Sequence, residues 1–413
     1  MTPPPRPSFQ PLDDALKTLL AHAVPLQAVE SVPTADADGR VLAQDVVSSL
    51  HVPPQDNSAM DGYALRCADA LIPGAQLPVS QRIAAGMNGT ALERGTLARI
   101  FTGAPVPPGA DAVVMQEDCT VLPDDAGVQV NTAPKLGQNI RRAGEDVARG
   151  DVVLTGGQLL GPAELGLAAS VGMAALSVVR RPRVALFSTG DELVMPGTVA
   201  PQDMPPGAIY NSNRFFLKAL LRRLGCEVTD LGIVPDQREA TVHALREAAA
   251  SHDVILTSGG VSVGEEDHIK PAVQTLGTLD LWHIAIKPGK PFAYGHIGDC
   301  HFLGLPGNPV ASFVTFLVLV RPFLQRLQGL PLADVAMKTI AVRADFTWPK
   351  SDKRREFLRV RRNANGGLDL FSNQGSGVLT SAVWGDGLVD NPPGCTIAPG
   401  DMVRFVSFAE LQA

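Results

Sequence analysis

The chain has 413 residues, of which 45% are hydrophobic and 19% are charged, and this composition excludes an intrinsically disordered protein. At about 150 residues per domain, the length predicts two to four domains. There are 35 Lys and Arg residues against 42 Asp and Glu, a net charge of −7. This balance disfavours a general nucleic-acid binder, because such proteins are usually basic.

The cysteines and the apolar segments indicate the compartment. No two cysteines form a CxxC pair; they stand at Cys67, Cys119, Cys226, Cys300 and Cys395. A disulfide framework or a Cys-rich zinc site is therefore not expected. The first ten residues lack the pattern of a signal peptide, and the strongest apolar run, 313–320, is shorter than the roughly 20 residues of a membrane helix. We expect a soluble cytoplasmic protein without membrane contact.

The sequence pattern changes twice within the first 180 residues, from helical to turn-rich and back to helical. Residues 11–22 are predicted to form an amphipathic helix, with Pro11 suited to its first turn and a stripe of leucines along one face. From about residue 50 the chain is rich in turns between short apolar stretches, which indicates a β-rich domain with functional loops. Residues 151–180 return to a helical pattern. The β-rich part is therefore predicted to be inserted into an elongated helical domain.

From residue 183 the predicted strands and helices alternate. The strands are predicted at 184–187, 228–233, 254–257, 281–286 and 301–305, and the helices at 213–224, 238–250 and 308–327. Such alternation predicts an α/β domain with a doubly wound parallel sheet, in which ligands bind beyond the carboxyl ends of the strands. After residue 331 short β-type runs at 339–342, 357–360 and 402–406 predict a small C-terminal β domain.

Ser258–Asp267, SGGVSVGEED, follows one predicted strand end. Its glycines allow close approach of the backbone to a ligand, and the N–H groups at the start of a helix favour anions. The three acids that follow are explained if a hard cation such as Mg²⁺ bridges them to phosphate oxygens. The alternative is a tight turn with solvated acids.

Two lysines lie close together in Lys287–Pro291, KPGKP. Neighbouring cations repel each other, so an anion between them is the simplest reason for the pair. The alternative is two solvated surface lysines.

Other polar motifs are less specific. STGDEL at 188–193 supplies two acids, and LPGNP at 305–309 supplies an Asn at a helix start; each is equally consistent with helix capping. DNSAMDGYA at 56–64 and RRAGED at 141–146 are functional or structural loops of the inserted domain. The eight His form no metal-binding pattern, and the absence of GxSxG and GxxxxGK[ST] disfavours the corresponding hydrolases and NTPases.

Seven motifs taken together resemble one known family. In chain order they are DNSAMDGYA, FTGAPVPPGADAVVMQED, GQNIRRAGEDV, VALFSTGDEL, TSGGVSVGEEDHIK, AIKPGKPFAYG and GLPGNPVASF. Over about residues 8–410 the chain resembles the MoeA family of bacterial molybdopterin molybdenumtransferases, which is related to the E domain of gephyrin and to its plant counterpart. The resemblance implies four domains: an elongated helical domain at 1–50 with 148–180, an inserted β-rich domain at 51–147, a molybdopterin-binding α/β domain at 181–329 and a C-terminal β-barrel at 330–413.

The resemblance also implies an activity. Family members insert molybdate into adenylylated molybdopterin and release AMP and molybdenum cofactor, with Mg²⁺ as the cofactor. They are homodimers whose active cleft lies between the α/β domain of one protomer and the inserted domain of the other. Molybdopterin adenylyltransferase and molybdoenzyme maturation factors are implied as further partners.

Carried over motif by motif, the resemblance assigns roles to individual residues. The implied catalytic residues are Asp61, Thr102, Asp146, Glu192, Asp236 and Asp267. The residues implied to bind adenylylated molybdopterin are Ser258, Gly259, Gly260, Ser262, Gly264, Pro306 and Asn308. Molybdate is assigned to Lys287, Lys290, Arg354, Arg359 and Ser376, and Mg²⁺ to Glu192, Asp236 and Asp267. Two positions depart from the family pattern: Ala311 replaces a common Ser, and Asn211 replaces an Asp.

Two alternative functions stay open at this point. The first is adenylyl transfer onto molybdopterin, because stand-alone molybdopterin-binding domains with that activity resemble residues 181–329. The additional domains argue against it. The second is a non-catalytic scaffold like gephyrin, which the short segment before the first motif disfavours.

Overall fold

The computed structural model describes residues 9–235, 237–260 and 268–412. Up to residue 180 it has helices α1 (Leu12–His22) and α2 (Pro162–Ser170). The strands of this part are β1 (Val29–Pro33), β2 (Val46–Val47), β3 (Asn57–Ser58), β4 (Gly62–Leu65), β5 (Ala75–Leu77), β6 (Val79–Ile83), β7 (Leu97–Ile100), β8 (Ala112–Met115), β9 (Cys119–Val121), β10 (Val128–Val130), β11 (Ile140–Arg141), β12 (Val152–Leu154) and β13 (Ala175–Val179).

The segments on either side of the insertion pair with each other. Strand β1 runs antiparallel to β13, and β2 antiparallel to β12. Helix α1 forms at the predicted residues, but its buried face packs into the core of the α/β part rather than into a helical domain. Helix α2 covers only nine residues of 151–180, so the helical pattern predicted there is wrong over most of its length. Outside α2, buried apolar residues such as Leu154, Leu176 and Val178 belong to strands β12 and β13, so their spacing does not reflect a helix.

The inserted part is β-rich, as its turn-rich sequence predicts. A four-stranded sheet has the order β6-β7-β4-β8, and a three-stranded sheet has the order β5-β10-β9. Strand β3 pairs with β11, which brings the DNSAMDGYA and RRAGED loops together.

Residues 181–329 form the α/β part. Its strands are β14 (Arg183–Thr189), β15 (Leu193–Val194), β16 (Ile209–Tyr210), β17 (Glu227–Val234), β18 (Val254–Ser258), β19 (Thr278–His283), β20 (Ile286–Lys287), β21 (Pro291–Ile297) and β22 (Cys300–Leu305). Its helices are α3 (Asn213–Arg223), α4 (Arg238–Ser251), α5 (Ile269–Leu276), α6 (Pro309–Thr315) and α7 (Arg321–Leu327), the last two joined by a π-helical turn at Phe316–Val320.

The main sheet has the order β17-β14-β18-β22-β21-β19 and differs from the prediction in one strand. Strands β17, β14, β18 and β22 are parallel to one another. Strand β21, which the sequence did not reveal, runs antiparallel to both of its neighbours. The sheet is therefore mixed. Since β19 is antiparallel to β21, it points the same way as the four parallel strands, and the KPGKP segment still follows a strand at their carboxyl edge.

One long apolar helical stretch lies in the centre of this part. Pro309–Leu327 has the length and composition of a membrane-crossing helix, and 89% of its apolar window is buried inside the fold. This stretch agrees with the helix predicted at 308–327, and it extends on both sides of the apolar run at 313–320. Its apolar character is explained by packing into the largest hydrophobic core.

Residues 330–412 form the C-terminal β part. Its elements are α8 (Leu332–Val335), β23 (Ile340–Arg343), β24 (Arg355–Arg362), β25 (Leu368–Leu370), α9 (Thr380–Trp384), β26 (Gly387–Asn391), β27 (Met402–Ser407) and α10 (Phe408–Leu411). The sheet order is β20-β24-β26-β27-β23, with β25 on β24, and an isolated bridge from Ala344 to Leu368 joins its two ends. Strand β20 comes from the KPGKP segment, so this sheet continues into the α/β part.

Candidate functional site

A cavity of about 660 Å³ lies where the carboxyl edge of the main sheet meets the C-terminal part. Its wall comes from the segments after β14, β18, β19 and β22, from the start of α3, and from two segments of the C-terminal part. Several residues predicted for the site line it: Glu192, Ser258, Gly259, Lys287, Lys290, Pro306, Asn308, Arg354 and Ser376. Residues distant in sequence thus converge at the sheet edge, as expected for this class of sheet.

The turn after β18 requires glycine. Gly259 has φ +94° and Gly260 has φ +67°, a backbone conformation that residues other than glycine rarely adopt. A Cβ on Gly259 would lie 2.9 Å from the carbonyl oxygen of Thr189, and one on Gly260 would lie 2.5 Å from Cδ1 of Ile269. Gly259 lines the cavity, whereas Gly260, also predicted to bind the ligand, is not among the lining residues. The backbone of this turn is therefore exposed to a ligand at the cavity wall.

Asn213 joins two of the cavity's turns, a role that no local sequence pattern indicates. Its Nδ2 donates one hydrogen bond to Oγ of Ser258 and one to the carbonyl oxygen of Gly307, each at 2.7 Å. The side chain is buried at the start of α3 and lines the cavity. Only its place in the run NSN before a predicted helix marked it in the sequence.

The two lysines of KPGKP have different surroundings. The ammonium group of Lys287 lies 2.9 Å from Oε1 of Glu356 and 3.5 Å from Oδ2 of Asp352. Lys290 forms no ion pair within the described part of the chain, and its Nζ lies 5.3 Å from the centre of the Phe9 ring. Lys290 therefore presents the less neutralised charge to the cavity.

Arg354 and Asp352 form a bidentate pair beside these lysines. The guanidinium group donates to both carboxylate oxygens of Asp352, at 2.9 and 2.8 Å. These hydrogen bonds hold the pKa of Asp352 well below its usual value, so the carboxylate stays ionised. Arg354 lines the cavity as predicted, with its charge partly balanced.

Arg359 is not brought to the cavity, in contrast to its predicted contact with molybdate. Its side chain is 1% exposed, and its guanidinium group donates to the carbonyl oxygens of Phe357 and Gly375 and to Oγ of Ser381. Because the neighbouring Gly375 and Ser376 line the cavity, Arg359 supports the wall from behind. Its place inside strand β24, with neighbours buried on both faces, explains the difference.

The predicted residues of the inserted part lie elsewhere on the chain. Oδ1 of Asp61 accepts from both N and Oγ1 of Thr102, each at 2.8 Å, and these bonds lower the pKa of Asp61. Asp146 is exposed on the RRAGED loop. This loop is held in place by Asp56, whose Oδ2 accepts a hydrogen bond from Nη1 of Arg142 at 2.6 Å. None of Asp61, Thr102 and Asp146 lines the cavity of their own chain as far as the structure describes it.

The predicted Mg²⁺ site rests mainly on residues that the structure does not describe. Asp236, Ser262, Gly264 and Asp267 lie outside the described residues. Among the described residues no group of three or more His, Cys, Asp or Glu is arranged to hold a metal. Glu192 lines the cavity, and its carboxylate folds back over Gly190, where a Cβ would lie 2.6 Å from Oε2. It is a hard oxygen donor of the kind that Mg²⁺ prefers.

Both departures from the family pattern fall on this cavity. Asn211 and Ala311 line it. Asn211 is 2% exposed, and its Oδ1 accepts from the backbone N–H of Arg214 at 3.2 Å, so it caps the first turn of α3. An amide performs that capping as well as a carboxylate does.

Family models match three parts of the chain. They are described as MoeA N-terminal region (domain I and II), over residues 10–172, probable molybdopterin binding domain, over 185–326, and MoeA C-terminal region (domain IV), over 341–408. The cavity is lined by residues within or beside the last two of these matches.

Individual relatives match most of the chain. The molybdopterin molybdenumtransferase of Haemophilus influenzae is 45% identical over 77% of this chain and 78% of its own length. Molybdopterin molybdenumtransferase 2 of Mycobacterium tuberculosis is 36% identical over 92% of this chain and 94% of its own. The crystal structure of a molybdopterin biosynthesis moeA protein from Pyrococcus horikoshii superposes with a TM-score of 0.85 at 27% identity, covering 97% of this chain and 100% of that one.

Proposed function

Since the chain belongs to the MoeA family of molybdopterin molybdenumtransferases and so has a role in molybdenum cofactor biosynthesis, we propose that its cavity binds adenylylated molybdopterin and molybdate. The protein inserts the metal into the dithiolene and releases AMP. The observation that carries this proposal is the cavity itself, where a glycine turn open to a phosphate and the cations Lys287, Lys290 and Arg354 share one wall.

The electrostatics of the cavity suit this reaction. Molybdate is a dianion and the dithiolene ligand is also anionic, so their approach in water is opposed by charge repulsion. Lys290, which has no acidic partner within the described residues, offsets that repulsion most directly. Lys287 and Arg354 are held in place by Asp352 and Glu356, which keeps their positions fixed while an anion binds. Transfer needs no protein nucleophile.

Mg²⁺ belongs to the proposal as the cation that neutralises the pyrophosphate when bound. Glu192 would hold it together with Asp236 and Asp267. The test is Asp267→Asn, because Asn keeps any capping function of Asp but lacks its charge. We expect loss of most Mg²⁺-dependent AMP release in that variant. If the Asp267→Asn variant releases AMP fully and its half-maximal Mg²⁺ concentration is unchanged, Asp267 does not hold the metal.

We also propose that the active protein is a cytoplasmic homodimer whose cleft is shared. The support is that Asp61 and Asp146 are exposed and that, with Thr102, they lie outside the cavity of their own chain. In a homodimer, this surface of one protomer would face the cavity of its partner. Molybdopterin adenylyltransferase would supply the substrate, and maturation factors would receive the product.

The defining experiment supplies purified protein with adenylylated molybdopterin, molybdate and Mg²⁺. AMP is expected to appear in step with molybdenum cofactor, and only when molybdate is present. Molybdopterin with ATP is the parallel incubation. Adenylylation there without molybdate consumption would instead support the adenylyltransferase function.

A further inference from the structure

The outer face of the four-stranded sheet in the inserted part carries two arginines against one aromatic ring. Arg82 on β6 and Arg99 on β7 stand directly opposite each other in the parallel register. The Cζ atom of each lies 4.7 Å from the centre of the Phe101 ring. Arg99 also lies over the ring of Tyr63, at 5.1 Å. Two like charges are thus held side by side, an arrangement that is unfavourable for a sheet without a compensating partner.

No acid of the described chain neutralises the two guanidinium groups by an ion pair. Arg99 donates to the carbonyl oxygen of Gly62 at 3.1 Å and to Oε1 of Gln116 at 2.7 Å, both of them neutral acceptors. The neighbouring carboxylate of Asp61 is engaged by Thr102. Arg82 is exposed and Arg99 half-buried, so the free N–H groups of both can be reached by a ligand.

We propose that Arg82 and Arg99, positioned by Phe101, bind a phosphate or pyrophosphate group. Guanidinium groups suit this because their planar forks pair with phosphate oxygens through charge-assisted hydrogen bonds. The aromatic ring fixes both groups before the anion arrives, which reduces the loss of side-chain freedom on binding. The face borders Asp61 and Thr102, so in the shared cleft it would hold the pyrophosphate of the substrate. That role rests on the proposed function, whereas the binding itself does not.

The test is calorimetric titration of the whole protein with sodium pyrophosphate. Arg82→Gln removes one cation and is expected to weaken binding about tenfold, the usual effect of losing a charge-assisted hydrogen bond. Arg82→Lys keeps the charge but lacks the planar fork that stacks on Phe101, so it is expected to restore only part of the affinity lost in Arg82→Gln. Arg94→Gln is the matched control, because Arg94 is exposed on the same part without an aromatic or acidic partner in the described residues.

A second series separates this face from the cavity, which also attracts pyrophosphate. The titrations are repeated in Lys290→Gln, where the effect of Arg82→Gln is expected to persist. The proposal is overturned if Arg82→Gln binds like Arg94→Gln in both backgrounds, or if the wild type shows no binding at millimolar pyrophosphate. Failure of molybdate insertion would leave these titrations unchanged, so the two proposals fail separately.

Discussion

Nζ of Lys287 donates a hydrogen bond to Oε1 of Glu356, 2.9 Å away and 69 positions later in the chain. The contact joins the segment after β19 to strand β24 and so closes one side of the cavity. Glu356 is 1% exposed and also accepts from Nε1 of Trp348 at 2.8 Å. The lysine therefore compensates a buried charge as well as lining the site.

The first prediction separates the two lysines of the cavity. Lys287→Ala leaves Glu356 with fewer partners, and the free energy of unfolding is expected to fall by about 2 kcal/mol. Lys290→Ala should change stability by less than about 0.5 kcal/mol, as for an ordinary surface substitution, but raise the molybdate requirement roughly tenfold by removing a charge-assisted contact. Urea unfolding and molybdate titration of AMP release measure the two effects. The prediction would be contradicted if the two substitutions changed the free energy of unfolding equally and also raised the molybdate requirement equally.

The second prediction concerns Arg359 as a support of the cavity wall. Arg359→Met removes the donors of three hydrogen bonds, two of them buried, and is expected to lower the free energy of unfolding by about 2–3 kcal/mol. The molybdate requirement should rise less than in Lys290→Ala, because the guanidinium group does not line the cavity. Thermal unfolding and molybdate titration test this. If Arg359→Met unfolds like the wild type but needs much more molybdate, Arg359 contacts the anion after all.

The third prediction concerns the link between two turns. Asn213→Ala breaks the bonds from Nδ2 to Ser258 and Gly307 and frees the turns that they hold. We expect a rise in KM for adenylylated molybdopterin of roughly tenfold, from about 1.5 kcal/mol of lost positioning. Asn211 also lines the cavity, so Asn211→Asp, which keeps its cap on α3, is the matched variant, with a KM within about twofold of the wild type. Similar KM values for Asn213→Ala and the wild type would refute the positioning role.

The fourth prediction tests the shared cleft. Asp61→Ala and Asp267→Ala are each expected to be inactive, and co-expressed heterodimers should regain part of the AMP release, because one of the two clefts then keeps both acids. Separately purified mixtures that do not exchange subunits are the control. If isolated heterodimers show no recovery, each protomer carries a complete site of its own.

The fifth prediction concerns pH and a histidine cluster beside helix α1. Tyr294 shares hydrogen bonds with His296 and with His301, and the ring of His22 lies 4.8 Å from that of Tyr294. Burial, together with the neighbouring His296 and His22, lowers the pKa of His301 to about 4 from 6.5.

A lowered histidine pKa means that the unfolded chain takes up the proton first as the pH falls. The stability contribution is therefore complete above pH 6.5 and is lost between pH 6.5 and about 4. The loss amounts to at most about 3 kcal/mol at one such site. His301→Gln should flatten the pH dependence of urea midpoints over this range, whereas His243→Gln, an exposed position, should not. Parallel pH profiles for wild type and His301→Gln would contradict the assignment.

Much of the α/β part follows from the sequence alone. Local patterns determine helix α1, helix α3 and strands such as β18, because their apolar periodicity and end signals lie within a few residues. The same patterns place the KPGKP and SGGV motifs after strands, and their order along the chain indicates the family. Motifs whose function depends on residue type and close spacing can therefore be predicted from the sequence.

Only the tertiary structure decided which of these residues meet. Strand β21 belongs to a hairpin in an otherwise parallel sheet, and its apolar run alone does not reveal direction. The sequence likewise does not distinguish Arg354 from Arg359, because both carry the same charge and lie close together, Arg354 directly before strand β24 and Arg359 within it. In the structure Arg354 lines the cavity, whereas Arg359 is buried behind its wall. Burial, pairing with Asp352 or Glu356, and the bond from Asn213 to Ser258 depend on contacts between segments far apart in the chain. Such contacts are determined by packing, which no local pattern records.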